Sequence, residues 1–248
     1  MESLAAQLHV VAENDPKPML PPELERIIFE MAVEDLVHNL PPTYCALNLQ
    51  LTARRVRSWI RPLLYRMLKA TTHAPKNVFP NFEKYEALKI EEIGPFIKYF
   101  IYDVYRSSQS HLLHTLRHCP NIEDLAIWWD ANKMGQIYPA ISSLKHVKRL
   151  YSGLGGLTIE QIQESPIFQN VTHLDLLGLP PKHLLQELKN LTHFGTNTAF
   201  RFDEGHSLLR KVQSVLDLIL AIPQLQVAKV LHDSSPDAVA VNIDFKDI

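Results

Sequence analysis

The sequence predicts an α/β protein in which a small N-terminal helical module precedes an irregular solenoid of strand and helix units. Two apolar patterns with helical spacing indicate the module, and a loose repeat from residue 90 onward indicates the solenoid. With 248 residues and 46% hydrophobic content, the chain can bury a substantial core. The expected divisions are a flexible lead (1–18), the helical module (19–69), a linker (70–89) and the repeat domain (90–248).

The first helix is predicted to begin at the proline pair Pro21 and Pro22. Proline suits the first helical turn, where its missing N–H costs no hydrogen bond, and Glu23 and Glu25 place negative charge at the positive end of the helix dipole. Apolar residues then recur at helical spacing: Leu24, Ile27, Ile28 and Met31. The pattern predicts a helix with one apolar side.

A second amphipathic helix is predicted between Ala53 and Tyr65. Its apolar side consists of Val56, Trp59, Ile60, Leu63 and Leu64. Arginines occupy the other side. Two such short helices bury little surface alone, so we expect them to dock on a larger domain or on a partner. This segment is therefore predicted to be a binding module.

These two segments resemble the F-box, and especially the F-box-like domains of large fungal families. Residues 20–30 (LPPELERIIFE) are similar to the first helix of that family, and residues 53–66 (ARRVRSWIRPLLYR) are similar to its last helix. The resemblance implies docking on a Skp-type adaptor of a cullin ubiquitin ligase. The contacting residues that it implies are Leu20, Pro21, Leu24, Ile27, Ile28, Leu51, Val56 and Trp59.

One dense run of basic residues lies in and after the second helix: Arg54, Arg55, Arg57, Arg61, Arg66 and Lys69. Three interpretations stay open. The run is a solvated helix side, which needs no partner, or a nucleic-acid contact, which would want more charge and stacking aromatics. In the F-box family the Skp-type adaptors are generally acidic, so the third interpretation is that the run steers the encounter with the adaptor.

From residue 90 onward, copies of one pattern recur: apolar, two spacers, apolar, one spacer, apolar. They are Ile97, Phe100, Tyr102; Ile122, Leu125, Ile127; Leu144, Val147, Leu150; Val171, Leu174, Leu176; and Leu191, Phe194. Their spacing lies near the leucine-rich range of roughly 20–29 residues, and each copy predicts a short strand. Helical stretches lie between the copies, a long helix is predicted over 206–222, and strands are predicted over 225–231 and 239–246.

The segment 120–128 (PNIEDLAIW) also resembles the leucine-rich-like repeats that follow F-box-like domains in the fungal families. By analogy, this resemblance implies that the repeats bind a protein substrate. Trp128 and Trp129, at the end of a predicted strand, are candidate contacts because tryptophan dominates interface hot spots. Tyr151, after the next predicted strand, is their expected neighbour. A plain packing role is the alternative for these aromatic residues.

Catalytic and metal chemistry have little support in the sequence. His111, His114 and His118, followed by Cys119, could lie along one helix side and bind a metal, but a repeat helix with a polar stripe is the preferred explanation, because a closed site needs a fourth ligand and no HExxH motif is present. We expect no catalytic residue, no metal and no cofactor.

The bulk composition narrows the class of protein further. A formal charge of −2 argues against nucleic acid as a partner, and two cysteines fit a reducing compartment. No signal peptide or membrane span is evident, so we expect cytoplasmic or nuclear localisation and no membrane partner. The predicted function is a non-catalytic substrate-recognition adaptor of a Skp/cullin/F-box ubiquitin ligase. The alternative is a leucine-rich-like interaction scaffold with no ligase role.

Overall fold

In the described part of the chain, two N-terminal helices lead into a single sheet of eight strands. The computed structural model describes residues 20–37, 48–71, 89–103, 109–128, 134–153, 157–177, 185–197, 213, 216–217, 219–220, 222–232 and 239–244. Helices alternate with most of the strands, which makes the architecture α/β.

Helix α1 spans Pro22–Val37 and helix α2 spans Arg54–Leu64, as the two apolar patterns predict. Pro62 lies in the last turn of α2, near its C-terminal end. The elements that follow are β1 (Met67–Thr71), α3 (Ile90–Ile93), a 3-10 turn (Gly94–Phe96), β2 (Tyr99–Asp103), α4 (Gln109–His118), β3 (Asp124–Ile127), α5 (Met134–Ile141), β4 (Arg149–Ser152), α6 (Ile159–Glu164), α7 (Pro166–Asn170), β5 (His173–Leu177), β6 (His193–Asn197), β7 (Val227–His232) and β8 (Val239–Asp244).

The strand order of the sheet follows the chain order from β1 to β8. Strands β1 to β7 pair in parallel, and β8 closes the described sheet by pairing antiparallel with β7. Each neighbour in the sheet is therefore also a neighbour along the chain. A doubly wound sheet differs, because its strand order reverses at a switch point where ligands bind.

One register position runs across all seven parallel strands and forms the centre of the core. Its residues pair from strand to strand: Leu68, Phe100, Leu125, Leu150, Leu174, Phe194 and Ala228. All seven are buried. Successive strand residues point to opposite faces of the sheet. The central row therefore marks the covered face, and the residues directly before and after each member along its own strand lie on the opposite face, which we call the open face.

The same hydrogen-bond arrangement recurs where the strands begin. The carbonyl of Arg66 accepts the N–H groups of Lys98 and Tyr99, and the carbonyl before each of the strands β2 to β6 accepts two N–H groups from the next unit in the same way. The side-chain amides of Asn121, Asn170 and Asn190 each donate to a main-chain carbonyl of the preceding unit. These bonds satisfy main-chain groups that the tight connections would otherwise leave unpaired.

The predicted architecture of a small helical module followed by an irregular leucine-rich-like solenoid is wrong, although the α/β class is confirmed. The sheet already begins at Met67, inside the segment assigned to the helical module. One core cluster also runs without a break from Val33 in α1 to Ala228 in β7. The structure is thus a parallel sheet with helices, built around a shared core.

The missing first strand explains part of this error. Arg66 and Lys69 continue the basic run of α2, so residues 67–69 were grouped with the helical module and no strand was predicted at 67–71. The domain limits at 18, 69 and 89 stay predictions, with β1 crossing the one at residue 69. Residues 1–18 and most of the proposed linker lie outside the described residues.

Most individual strands were predicted at their observed places, including β7 and β8, although their antiparallel pairing was not predicted. Thr158 and Gln161 form a capping box at the start of α6, in which Thr158 Oγ1 accepts the Gln161 N–H at 3.2 Å. The long helix predicted over 206–222 falls mainly outside the described residues, although Gln213, Leu216, Asp217, Ile219 and Leu220 are helical.

A pair of glycine substitutions tests the packing of α3 against α4. A Cβ at Gly94 would collide with the main-chain carbonyl of His118, whereas a Cβ at Gly195 would meet the side-chain carboxylate of Asp175. We expect Gly94→Ala to lower the free energy of unfolding by about 1–3 kcal/mol, because main-chain atoms cannot rotate away. Gly195→Ala should cost less, since the exposed Asp175 side chain can turn aside. Urea denaturation measures both, and an equal or larger loss for Gly195→Ala would contradict the packing described.

Candidate functional site

Helix α1 carries apolar side chains on two opposite sides. Val33 is buried and Phe29 is partly buried against the core, and they lie one turn apart on the same side. The other side carries Leu24, Ile27, Ile28 and Met31, which are 51%, 50%, 53% and 63% exposed. A helix that uses only its first side for packing leaves the second side free for a partner.

Leu20 lies just before α1 and is also largely exposed. We call Leu20, Leu24, Ile27, Ile28 and Met31 the apolar docking surface. Soluble monomers rarely expose contiguous groups of large apolar side chains, and such groups usually mark interaction sites. The spacing of these residues on α1 makes this group contiguous along one helix side.

A bidentate ion pair fixes α1 to α2. Arg55 donates from Nη2 to Glu25 Oε1 at 2.8 Å and from Nε to Glu25 Oε2 at 3.0 Å. The hydrogen bond from Arg55 holds the pKa of the Glu25 carboxyl below its ordinary value of 4.5. The paired geometry resists rotation of α1 about its own axis, because both carboxylate oxygens are engaged.

A tight turn before α2 presents one further apolar side chain. The N–H of Leu51 donates to the Asn48 carbonyl at 2.9 Å, and the Thr52 hydroxyl donates to the Leu49 carbonyl at 2.8 Å. Leu49 packs against the core, while Leu51 is 71% exposed. The turn thus holds Leu51 away from the protein interior.

The residues that the F-box resemblance implies fall into two groups. Leu20, Pro21, Leu24, Ile27, Ile28 and Leu51 are exposed. Trp59 is partly buried against the core, and Val56 is only 1% exposed. Val56 shares its side of α2 with the buried Ile60 and Leu64, so it is a core residue in this structure. Met31 completes the exposed surface, and its helical spacing from Leu24 is the signal that identifies it.

Some arginines of the basic run make contacts within the fold, and others are exposed to solvent. Arg61 lies 3.2 Å from Glu92 and places its guanidinium 5.7 Å from the centre of the Phe96 ring, and Arg55 pairs with Glu25. Arg54 and Arg57 are exposed and form no ion pair with any described residue. These two arginines are therefore available to an acidic partner.

The candidate substrate contacts Trp128 and Tyr151 lie on the open face of the sheet. Their ring centroids are 4.7 Å apart with an interplanar angle of 44°, which confirms that the two aromatic residues are neighbours. Burial raises the pKa of the Tyr151 hydroxyl above its ordinary value of 10.0. Asp175 pairs in register with Tyr151 and is exposed beside it, although nothing in the sequence singled it out. Trp129 lies outside the described residues.

The structure does not bring Cys119 together with the histidines that were considered for metal binding. Cys119 is fully buried in the core, where burial raises the pKa of its thiol to about 12. His114 and His118 instead lie beside Glu91 of α3, at 3.4 Å and 3.9 Å from its Oε1. No sequence signal pointed to Glu91, because only the fold brings α3 to the end of α4. The side chain of His111 is not among those that the structure describes.

A survey of the described helices finds none with the length and apolar character that crossing a membrane requires.

The contribution of the Glu25–Arg55 pair should depend on pH. Because the pKa of Glu25 is lowered in the folded state, its stabilisation is complete above its ordinary pKa of 4.5 and is lost as the pH falls through the lowered value. We expect Glu25→Gln to unfold more easily than wild type at neutral pH, with the difference vanishing in acid. Chemical denaturation of both proteins across this range measures the effect. Glu30→Gln, which removes the exposed pair with Arg26, is the control and should change stability little at any pH.

No protein-family model matches the chain, and no curated protein matches it significantly.

Proposed function

We propose that this protein is a non-catalytic substrate-recognition adaptor of a Skp/cullin/F-box ubiquitin ligase. In this proposal the apolar docking surface and Leu51 bind a Skp-type adaptor, which connects the chain to the cullin. The open face of the sheet, around Trp128 and Tyr151, holds a protein substrate. The role would place the protein in the cytoplasm or the nucleus.

The observation that supports the proposal most is the exposure of the apolar docking surface, which forms the outer side of α1 opposite Phe29 and Val33. The similarity of residues 20–30 to the first F-box helix implies that this side contacts the adaptor, and Leu24, Ile27 and Ile28 are each about half exposed. Covering such side chains removes apolar surface from water, which stabilises a complex by about 25 cal/mol per Å² before the costs of association. The residues with the right chemistry are therefore accessible.

The mechanism needs no reacting group in this chain. Binding the ligase through α1 and the substrate through the sheet holds the two in one complex. Transfer of ubiquitin is then favoured by a raised effective concentration of substrate near the ligase. The shared core between α2 and the sheet supports this role, because a rigid connection keeps the two sites in a fixed orientation.

Charge complementarity supports the same partner. Arg54 and Arg57 project from α2, the helix on which α1 packs. Acidic adaptors of the kind that the F-box resemblance implies would be attracted to these guanidinium groups during diffusion. Such attraction acts mainly on the association rate and is screened by salt.

The alternative role is an interaction protein that uses the open face of the sheet and never engages a ligase. The two roles differ in what the outer side of α1 does. Only the adaptor role requires that changing this side abolishes binding to a Skp-type protein.

A charge placed on the docking surface should remove adaptor binding. Wild type is expected to bind a purified Skp-type adaptor in the low micromolar range or tighter. We expect Leu24→Asp or Ile28→Asp to weaken binding by about 2–4 kcal/mol, which is roughly 30-fold to 1000-fold, because the aspartate would be desolvated in the contact. Isothermal titration calorimetry measures the change, and circular dichroism verifies that the variants are folded.

Leu220→Asp provides the matched control for these variants. Leu220 is 69% exposed, so the substitution makes the same chemical change at a similarly exposed leucine on another helix. Adaptor affinity should be unaffected by it. Absence of binding by wild type, or equal losses at positions 24 and 220, would remove the ligase role and favour the alternative.

Reversing charge at the two free arginines should slow the encounter with the adaptor. Arg54→Glu combined with Arg57→Glu is expected to lower the association rate constant by about tenfold or more at low salt, with a smaller effect at high salt. Stopped-flow fluorescence measures this rate. Lys145→Glu combined with Lys189→Glu reverses the same charge at exposed positions elsewhere and should leave the rate nearly unchanged. Equal slowing by both pairs would mean that net charge, and not the position of the arginines, governs association.

A further inference from the structure

Glu91, His114 and His118 bring three metal-ligating side chains together on the surface between α3 and α4. The Oε1 atom of Glu91 lies 3.4 Å from Nε2 of His114 and 3.9 Å from Nε2 of His118. The three ligand atoms all lie within 4.8 Å of one another. In a tetrahedral zinc site with bonds of about 2.0–2.1 Å, neighbouring ligand atoms are roughly 3.3 Å apart. The separation between Glu91 and His114 is close to this value, and the remaining separations are longer and would shorten when an ion binds.

The fold holds the three residues in place through their elements. His114 and His118 are four residues apart in α4 and therefore lie on one helix side, where their rings contact edge to face at 4.8 Å between centroids. Glu91 belongs to α3, which the buried side chains of Ile90 and Ile93 anchor in the core. The close approach of Gly94 to the His118 carbonyl then fixes α3 against the end of α4. Only side-chain rotation is needed to complete the site, and all three side chains are exposed enough to rotate.

We propose that Glu91, His114 and His118 bind Zn²⁺ or a similar divalent transition-metal ion. Two imidazole nitrogens and one carboxylate oxygen are a ligand set that suits zinc, whereas calcium and magnesium prefer oxygen ligands alone. Three protein ligands leave a fourth position for water. The ion connects α3 to α4 and stabilises their packing, because the ligands come from both elements.

This site lies apart from the apolar docking surface in sequence and does not depend on the proposed function. The competing explanation is an ordinary contact between a carboxylate and two imidazoles. Metal titration distinguishes the two, because only a metal site requires all three side chains for Zn²⁺ affinity.

The test is a Zn²⁺ titration of the metal-stripped full chain at neutral pH, followed by calorimetry and by the thermal unfolding midpoint. Wild type is expected to bind Zn²⁺ in the micromolar range or tighter and to unfold at a higher temperature when loaded. Glu91→Gln and His118→Ala should each weaken binding roughly tenfold or more and should reduce the rise in midpoint. The conservative change at Glu91 leaves its size unaltered, so misfolding would not account for a loss there.

His193→Ala is the control, because it removes the other close pair of imidazoles among the described residues. His173 and His193 stack on neighbouring strands with ring centroids 4.0 Å apart. This variant should retain wild-type Zn²⁺ affinity and the full rise in midpoint. The proposal is overturned if wild type does not bind Zn²⁺, if Glu91→Gln and His118→Ala bind it as wild type does, or if His193→Ala is the variant that loses binding.

Discussion

The central row of the sheet is the packing constraint on which the other features of the structure depend. Its seven side chains, from Leu68 to Ala228, stack in register and bury one face of every parallel strand. Removing a single member would open a cavity between two neighbours and cost about 2–5 kcal/mol for a leucine changed to alanine. Leu68 of β1 belongs both to this row and to the buried cluster that includes residues of the two N-terminal helices. The core side of α2, with Val56, Ile60 and Leu64, continues the same cluster.

This continuity decides which side of α1 faces solvent. Phe29 and Val33 take up the packing against the core, and the ion pair between Glu25 and Arg55 fixes the rotation of the helix. Leu24, Ile27 and Ile28 cannot then be covered by the same contacts, because they lie on the opposite side of a 3.6-residue helix. The exposure that the proposed function needs is thus a consequence of packing elsewhere. These side chains are exposed although the opposite side of α1 is packed against the core.

The spacing of apolar residues along the sequence predicted most helices and strands. It did not predict contacts between residues that are distant in the sequence and meet only in the folded structure. The helical spacing of Leu24 and Met31 and the strict alternation of β8 were sufficient to place those elements. No strand is predicted at β1 because it is short, and because Arg66 just before it and Lys69 within it continue the basic charge pattern of the second helix. Val56 was assigned to the adaptor surface on the resemblance alone, whereas its spacing from Ile60 and Leu64 points to a core position. The approach of Glu91 to His118 had no local signal, because long-range packing of α3 on α4 creates it.

The most direct test of the proposed docking role is a map of which methyl groups the adaptor touches. In a methyl NMR titration with a purified Skp-type adaptor, the signals of Leu24, Ile27, Ile28, Met31 and Leu51 should shift or broaden. Those of the core residues Ile60 and Leu125 should change far less, because they are buried. If the α1 signals stay unchanged while the adaptor is in excess, or if the shifts fall only on the sheet, the outer side of α1 is not the docking surface.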